Sequence, residues 1–375
     1  MSLGLTLPDY PWESLAPYAK TARSHPGGVV DVSIGTPVDD TPPVVRQALA
    51  DAANAPGYPS TAGSPALRRA ITDWFARRRG VPDLDPDTEV VPTIGSKEAV
   101  AWLPTMLGLT PDDVVAHPLI AYPTYDMGAR IAGCGAVPVD QFALLTARSR
   151  DTDDFGRVRM MWVNSPSNPT GAVLDVDTLR ALVQWARAND VLLVSDECYA
   201  EMGWDVPSVP SLLDPRVTGG DHENLLVAYS LSKQSSAAGY RASFLAGDAA
   251  LIGNLTTTRK HAGMIVPWPV QEATRAALGD DEHVAAQRAR YSARRSVLKP
   301  ALTEWGLRID QSVAGLYLWG TAGEDCWTTI GRLADLGILA GPGIFYGDAG
   351  REYVRVSLTA SDERIDAAAE RLAAP

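Results

Sequence analysis

The chain has 375 residues, and 45 acidic against 33 basic side chains leave a formal net charge of −12. That length exceeds one ordinary core and implies two domains, and so acidic a chain argues against nucleic acid or an anionic membrane as a partner held by bulk charge. No run approaches the ~18 apolar residues that span a bilayer, and the start, "MSLGLTLPDYPWESL", has no basic region ahead of an apolar core and so is not a signal peptide. Cys134, Cys198 and Cys326 lie far apart without CxxC spacing, and the five histidines show no ligand spacing. Neither a metal site nor a disulfide framework is expected, and reduced cysteines fit a cytoplasmic protein.

In chain order, a short strand, "VVDVSI", precedes the first α/β unit. "EVVPTI" (89–94) then leads into a helical "SKEAVAWLPTML", and "DVVAHP" (113–118) leads into "YDMGARIAGC". "VRMMWVN" (158–164) leads into "DVDTLRALVQWARAND", and "VLLVSDE" (191–197) and "NLLVAYS" (224–230) follow. These strands are near-continuous apolar runs, the pattern of a mostly parallel sheet covered on both faces. Strands alternating with helices predict a doubly wound α/β domain. Beyond about residue 250 the pattern changes to a long helix, "DEHVAAQRARYSARRSVLKPALTEW", and the short strands "LRIDQSV", "GLYLWG" and "EYVRVSL". A closing helix has Ser361 as its expected N-cap. We expect residues 36–260 to form the large α/β domain, and residues 1–35 with 261–375 a smaller α+β domain.

Ligands of open α/β sheets bind beyond the carboxyl ends of the strands, so the residues there are the candidates. Gly95-Ser96-Lys97 opens a helix and reads equally as a plain cap or as an anion cradle. Tyr122 and Tyr125 stand in a Pro-rich loop, where an aromatic either packs or stacks on a flat ligand. Asn168 lies in the turn-rich "NSPSNPTG", with an amide that can donate to a ligand oxygen. Asp196 ends "VLLVSD", and a carboxylate withdrawn from water there requires a cation, from a structural ion pair or from a protonated ring nitrogen. Lys233 ends "SLSK", where partial desolvation turns an ammonium into a nucleophilic amine able to form a Schiff base. Ser230 and Arg241 flank it and can reach an anion at Gly95-Ser96-Lys97. Together these make the inventory that pyridoxal 5'-phosphate requires: a phosphate cradle, a stacking ring, an oxygen donor, a carboxylate and a lysine.

The order "SIGTP", "GYPSTAGSPALRRAI", "NSPSNPTG", "SDECY", "SLSK…GYR" and "YVRVSLTAS" resembles the class I/II, fold-type I aminotransferases over nearly the whole chain. The resemblance implies a mostly parallel seven-stranded sheet in the large domain and pyridoxal phosphate as cofactor. It makes Lys233 the Schiff-base lysine, Asp196 the partner of the pyridine nitrogen, Tyr199 and Asn168 donors to the ring 3-oxygen, and Tyr122 the stacking aromatic. Gly95, Ser96, Lys97, Ser230 and Arg241 become the phosphate site. Tyr58 corresponds to a tyrosine that reaches the neighbouring subunit's phosphate, which implies a homodimer with shared active sites. Arg355 resembles the grip on the substrate α-carboxylate, with Gly35 and Asn168 beside it. Stretches such as "IAYPTYD", "SDECYAEMGWD", "SLLDPRVTGGDHENLL" and "GIFYGDAGREYVRVSLTASDERI" are similar to actinobacterial succinyldiaminopimelate aminotransferases of lysine biosynthesis. That likeness implies an N-succinyl-LL-2,6-diaminopimelate substrate with 2-oxoglutarate as acceptor. The alternatives are an aminotransferase for aspartate, methionine, aromatic or acetylornithine-like substrates, or a C–S lyase of the same fold. Lys260, Arg259 and Tyr346 are candidates for the far end of the substrate. One departure stands out: the family usually shows Asn-Leu-Ala-Gly-Tyr-Arg-x-Gly, whereas "SSAAGYRASF" places Ser236, Ala237 and Ser243 in that stretch.

Overall fold

The computed structural model describes residues 4–5, 7–9, 11–140 and 155–374. The described strands, in chain order, are β1 (Val30–Asp31), β2 (Val90–Ile94), β3 (Val114–Pro118), β4 (Gly135–Val139), β5 (Val158–Asn164), β6 (Leu192–Asp196), β7 (Leu225–Ser230), β8 (Ala242–Gly247), β9 (Arg308–Asp310), β10 (Tyr317–Thr321), β11 (Ile338–Leu339), β12 (Gly341–Pro342) and β13 (Val354–Ser357). Seven of them form one sheet in the order β2-β8-β7-β6-β5-β3-β4. Only β8 runs antiparallel to its neighbours, β2 and β7, and the remaining pairings are parallel. Because β2 and β7 both oppose β8, their carboxyl ends lie on the same edge as those of β5 and β6. This is the expected mostly parallel seven-stranded α/β sheet of fold type I.

The continuous apolar runs have the reason proposed for them. Successive strand side chains point to opposite faces. Met161 and Val163 of β5 therefore join one buried cluster, while Met160 and Trp162 join the cluster on the other face. In β7, Leu225, Val227 and Tyr229 alternate in the same way with Leu226 and Ala228. A strand with both faces buried has no polar side to show. β4 and β8 were not singled out in the sequence. β4 is a short edge strand containing Pro138, and β8 is built largely of small residues.

A second core gathers Leu15, Ala19, Val30 and Val32 with Leu298, Leu318, Ile330, Val356 and Ile365. It underlies the antiparallel sheet β12-β13-β10-β9 and the parallel pair β1-β11. The helix Trp268–Leu278 buries Ala273, Ala277 and Leu278 in the first cluster, whereas the long helix Asp281–Glu304 contributes Tyr291, Leu298 and Leu302 to the second. Ser361 occupies the N-cap position of the helix Asp362–Ala373, but its side chain makes no capping bond to the first turn.

Candidate active site

Two adjacent carboxylates at the end of β6 meet different fates. Glu197 is fully buried and paired with Arg79 at 2.9 Å, and it also accepts from Leu212 N at 2.7 Å and Ser211 Oγ at 3.2 Å. The structural ion pair weighed for Asp196 thus belongs to its neighbour. Asp196 is buried as well, yet among the described residues its donors are neutral: Tyr125 Oη at 2.9 Å and Cys198 N at 3.1 Å, with the Cys198 thiol beside it. Burial pushes its carboxyl above the usual range, and those bonds offset it only in part.

Asn164, the last residue of β5, clamps the neighbouring turn. Its amide donates to Asp196 O at 2.8 Å and Pro166 O at 3.1 Å, and its Oδ1 accepts from Asn168 N at 2.6 Å. This delivers Asn168 to the site, where its Oδ1 accepts from Arg355 Nη1 at 2.9 Å. The Asn168 Nδ2 group keeps its own protons to donate.

Three residues past β7, the Lys233 amine donates to Gly35 O. Burial lowers the pKa of this lysine; Arg355 adds to the lowering and Tyr317 opposes it. Arg355 projects from β13, opposite Trp319 of β10. Besides Asn168 it donates to Ser33 O at 2.7 Å, while its buried Nε has no hydrogen-bond partner among the described residues. Its guanidinium lies 4.0 Å from the Tyr317 ring centre, 4.9 Å from that of Tyr346 and 5.8 Å from that of Trp12. Arg355 therefore sits in an aromatic collar, with no carboxylate against it among the described residues.

The candidate anion cradle lies where β2 meets its helix. Gly95 has φ 79°, and a Cβ there would collide with the Arg241 guanidinium. Only glycine combines that backbone angle with so close a cation. Ser96 opens the helix Ser96–Met106, with Lys97 next in its first turn, and the Ser96 hydroxyl lies beside the Cys198 thiol. Arg241 is in the left-handed region at φ 54° and donates to Ala238 O at 2.9 Å. Ser230 is buried and bonds Ser232 Oγ at 2.8 Å. The Arg241 guanidinium thus lies against the start of this helix, an arrangement compatible with an anion. Tyr122 is half-buried and meets Tyr125 edge-on at 5.7 Å.

Tyr58 does not join this group and is fully exposed on the chain. Arg259 is committed elsewhere: its guanidinium is buried against Glu98 at 2.9 Å and so does not serve the far end of a substrate. Lys260 is exposed, and Tyr346 belongs to the collar around Arg355. The departures in "SSAAGYRASF" have structural partners. Ser236 donates to Asp39 O and accepts Thr41 Oγ1 on its own carbonyl, which pins the segment that follows Gly35. Ser243 bonds Thr93 across β8 and β2.

Sequence reasoning missed Tyr317, whose hydroxyl lies 3.1 Å from that of Tyr199. It also missed Trp12 and the anchoring of Asp196 by Tyr125. Aromatics in strands are most often core residues, and nothing in "GLYLWG" distinguishes one that faces a site.

The chain belongs to the class I and II aminotransferases, whose family profile matches residues 27–372. Its chemistry is pyridoxal-phosphate-dependent transamination between amino acids and oxo acids. It is 54% identical over 366 residues to the 4-dedimethylamino-4-oxo-anhydrotetracycline transaminase OxyQ of Streptomyces rimosus, covering 98% of this chain and 99% of that protein. It is 51% identical over 367 residues to a probable aminotransferase of Mycobacterium tuberculosis, covering 98% and 85%. Among solved structures it resembles the N-succinyldiaminopimelate aminotransferase of Mycobacterium tuberculosis with a TM-score of 0.84 at 28% identity, covering 98% and 99%.

Proposed function

We propose that Lys233 is the amine that bonds the cofactor aldehyde, with Asp196 beside the ring nitrogen, Tyr122 stacked on the ring, and Tyr199 and Asn168 donating to the ring 3-oxygen. Gly95, Ser96, Lys97, Ser230 and Arg241 hold the phosphate, and Arg355, with Gly35 and Asn168, holds the substrate α-carboxylate. One observation carries this reading. Asp196 and Arg355 are buried and Lys233 is half-buried, and none of the three forms an ion pair among the described residues. Buried charges are costly without partners, and the cofactor and a carboxylate substrate bring the groups these three lack: a ring-nitrogen proton, an aldehyde and an anion.

When bound, the cofactor supplies a protonated ring that accepts electrons from the substrate. Asp196 keeps that ring nitrogen protonated, because an ionised carboxylate favours the adjacent charge. Lys233, its pKa lowered by burial, is set to take and return the proton at the substrate α-carbon as general base and acid. The planar Arg355 orients the carboxylate and so fixes which bond at that carbon faces the lysine.

For substrate we propose N-succinyl-LL-2,6-diaminopimelate with 2-oxoglutarate as acceptor, the reaction of a succinyldiaminopimelate transaminase in lysine biosynthesis. The likeness to the Mycobacterium tuberculosis structure supports it. The 54% identity to the Streptomyces rimosus transaminase favours a second reading, amination of the oxo group of an anhydrotetracycline-like fused-ring ketone. A panel of succinyldiaminopimelate, acetylornithine, methionine, aspartate and kynurenine with 2-oxoglutarate, and a fused-ring ketone with glutamate, separates the two. Strong turnover of another substrate with none of the succinylated one refutes the first reading. We also propose a homodimer in which the exposed Tyr58 completes the partner's phosphate site, and a two-unit chain in which the helix Trp268–Leu278 stays with the large α/β unit. A monomeric mass on gel filtration contradicts the first of these.

A further inference from the structure

Tyr317 is buried on β10. Its hydroxyl lies 3.1 Å from the Tyr199 hydroxyl, and the two rings meet edge-on at 5.7 Å. Its face lies 4.0 Å from the Arg355 guanidinium. Behind it stands Gly35, where any Cβ would collide with the Tyr317 hydroxyl. The tyrosine is thus held on three sides, by a phenol, a cation and a backbone with no room to yield.

We propose that Tyr317 is a positioning residue for the transamination: its hydroxyl donates to Tyr199, which leaves the Tyr199 proton for the bound cofactor, and its ring is the platform on which the Arg355 guanidinium lies. The hydroxyl part rests on the reading of Tyr199 as a donor to the ring 3-oxygen.

Two phenols carry two protons, and one bond between them uses one. If Tyr199 donates to Tyr317, it has no proton left to offer. The surroundings set the direction. Burial raises both phenols, but the Arg355 guanidinium, 4.0 Å from the Tyr317 ring centre, brings Tyr317 below its ordinary value, with the Lys233 amine and the Tyr199 bond acting the same way and Asp196 opposing. Burial, with Tyr317 beside it, leaves Tyr199 well above its own despite Arg355. The phenol with the guanidinium against its ring is the better donor, so the relay takes the bond from Tyr317 to Tyr199. A hydroxyl that accepts a bond becomes a stronger donor in turn, since chained hydrogen bonds polarise one another. The ring contact does a separate job, because a guanidinium over an aromatic face is both attracted and kept planar to it.

The test uses the cofactor-loaded enzyme as wild type, Tyr317→Phe, Tyr199→Phe, the double variant and Tyr317→Leu. The readouts are the pH midpoint of the bound cofactor's visible absorption and the KM for 2-oxoglutarate. A donor to the ring oxygen stabilises its anion, so losing the donor raises the midpoint. Tyr199→Phe raises it, Tyr317→Phe raises it by less, and Tyr317→Phe adds nothing in the Tyr199→Phe background. Tyr317→Phe keeps the platform and changes KM less than ~2-fold, whereas Tyr317→Leu raises it roughly 3- to 30-fold. If Tyr199→Phe leaves the midpoint in place, the donor reading falls and the relay falls with it. If Tyr199→Phe shifts it but Tyr317→Phe does not, or shifts it equally in both backgrounds, the relay alone is overturned. An unchanged KM in a folded Tyr317→Leu protein overturns the platform.

Discussion

The Lys233 amine donates to the carbonyl of Gly35, a residue 198 positions earlier in the chain. This bond ties the turn after β7 to the N-terminal segment. Lys233→Ala removes the amine that bonds the aldehyde and moves the proton. The purified variant is expected to be colourless, to lose cofactor on dialysis, and to fall in turnover by ~10²–10⁴-fold or more. Absorption spectra and single-turnover assays measure this, and a yellow, fully active variant would sink the assignment.

Asp196 gives a pH signature in the cofactor-free protein. Burial raises its folded pKa above the unfolded value of about 3.9. Its contribution to stability is therefore present below the unfolded value and is lost as pH rises through the folded one. As pH rises above the unfolded value, keeping this carboxyl buried with no cation beside it among the described residues costs the cofactor-free protein stability. Asp196→Asn should then melt higher than wild type at about pH 7, with the difference shrinking toward about pH 4. The same variant should lose transamination, because an amide does not keep the ring nitrogen protonated. Thermal melts across that range decide it, and a difference that grows as pH falls contradicts the prediction.

Arg355→Lys keeps the charge but loses the planar fork and the fit to the Tyr317 face. The expected result is a rise of about 10- to 100-fold in KM for 2-oxoglutarate, with a smaller effect on kcat. Steady-state kinetics with an amine acceptor lacking a carboxylate supply the control, since that substrate should be indifferent to the change. Equal losses with both acceptors would remove Arg355 from the carboxylate.

Ser243 and Thr93 face each other in register between β8 and β2, with their hydroxyls 2.5 Å apart. Ser243 also donates to Thr93 O at 3.1 Å, so the Thr93 hydroxyl is the donor to Ser243 Oγ. Both residues are buried. Ser243→Ala leaves the Thr93 hydroxyl without its acceptor, at a cost of about 1–3 kcal/mol. Denaturant unfolding should show that loss while KM for both substrates stays unchanged. A specific change in substrate preference would instead make Ser243 a specificity residue.

The strands that carry site residues were legible because their apolar runs are long and end abruptly in chemistry-bearing residues. β5 ends at Asn164, β6 at Asp196 and β7 at Ser230, and each end lies on the same edge of the sheet. β8 was not legible, because six residues of mixed size carry neither a two-residue alternation nor a long apolar run. The candidates Lys233, Asp196, Asn168 and Arg355 could be named from "SLSK", "SDECY", "NPTG" and "YVRVSL". The aromatic collar could not, since Trp12, Tyr317 and Tyr346 come from three distant segments and each reads alone as a core residue.

The sequence by itself determined the α/β class, the order of the strands that end in reactive groups and the family, because periodicity and motif spacing are local properties of a chain. The tertiary structure alone decided which buried charges are already paired. Asp196 and Glu197 are neighbours in sequence and similarly acidic in isolation, yet the fold brings Arg79 to Glu197 and, among the described residues, no cation to Asp196. It likewise commits Arg259 to Glu98 and leaves Arg355 among rings. A countercharge is a matter of distance through space, and only the folded chain fixes that distance.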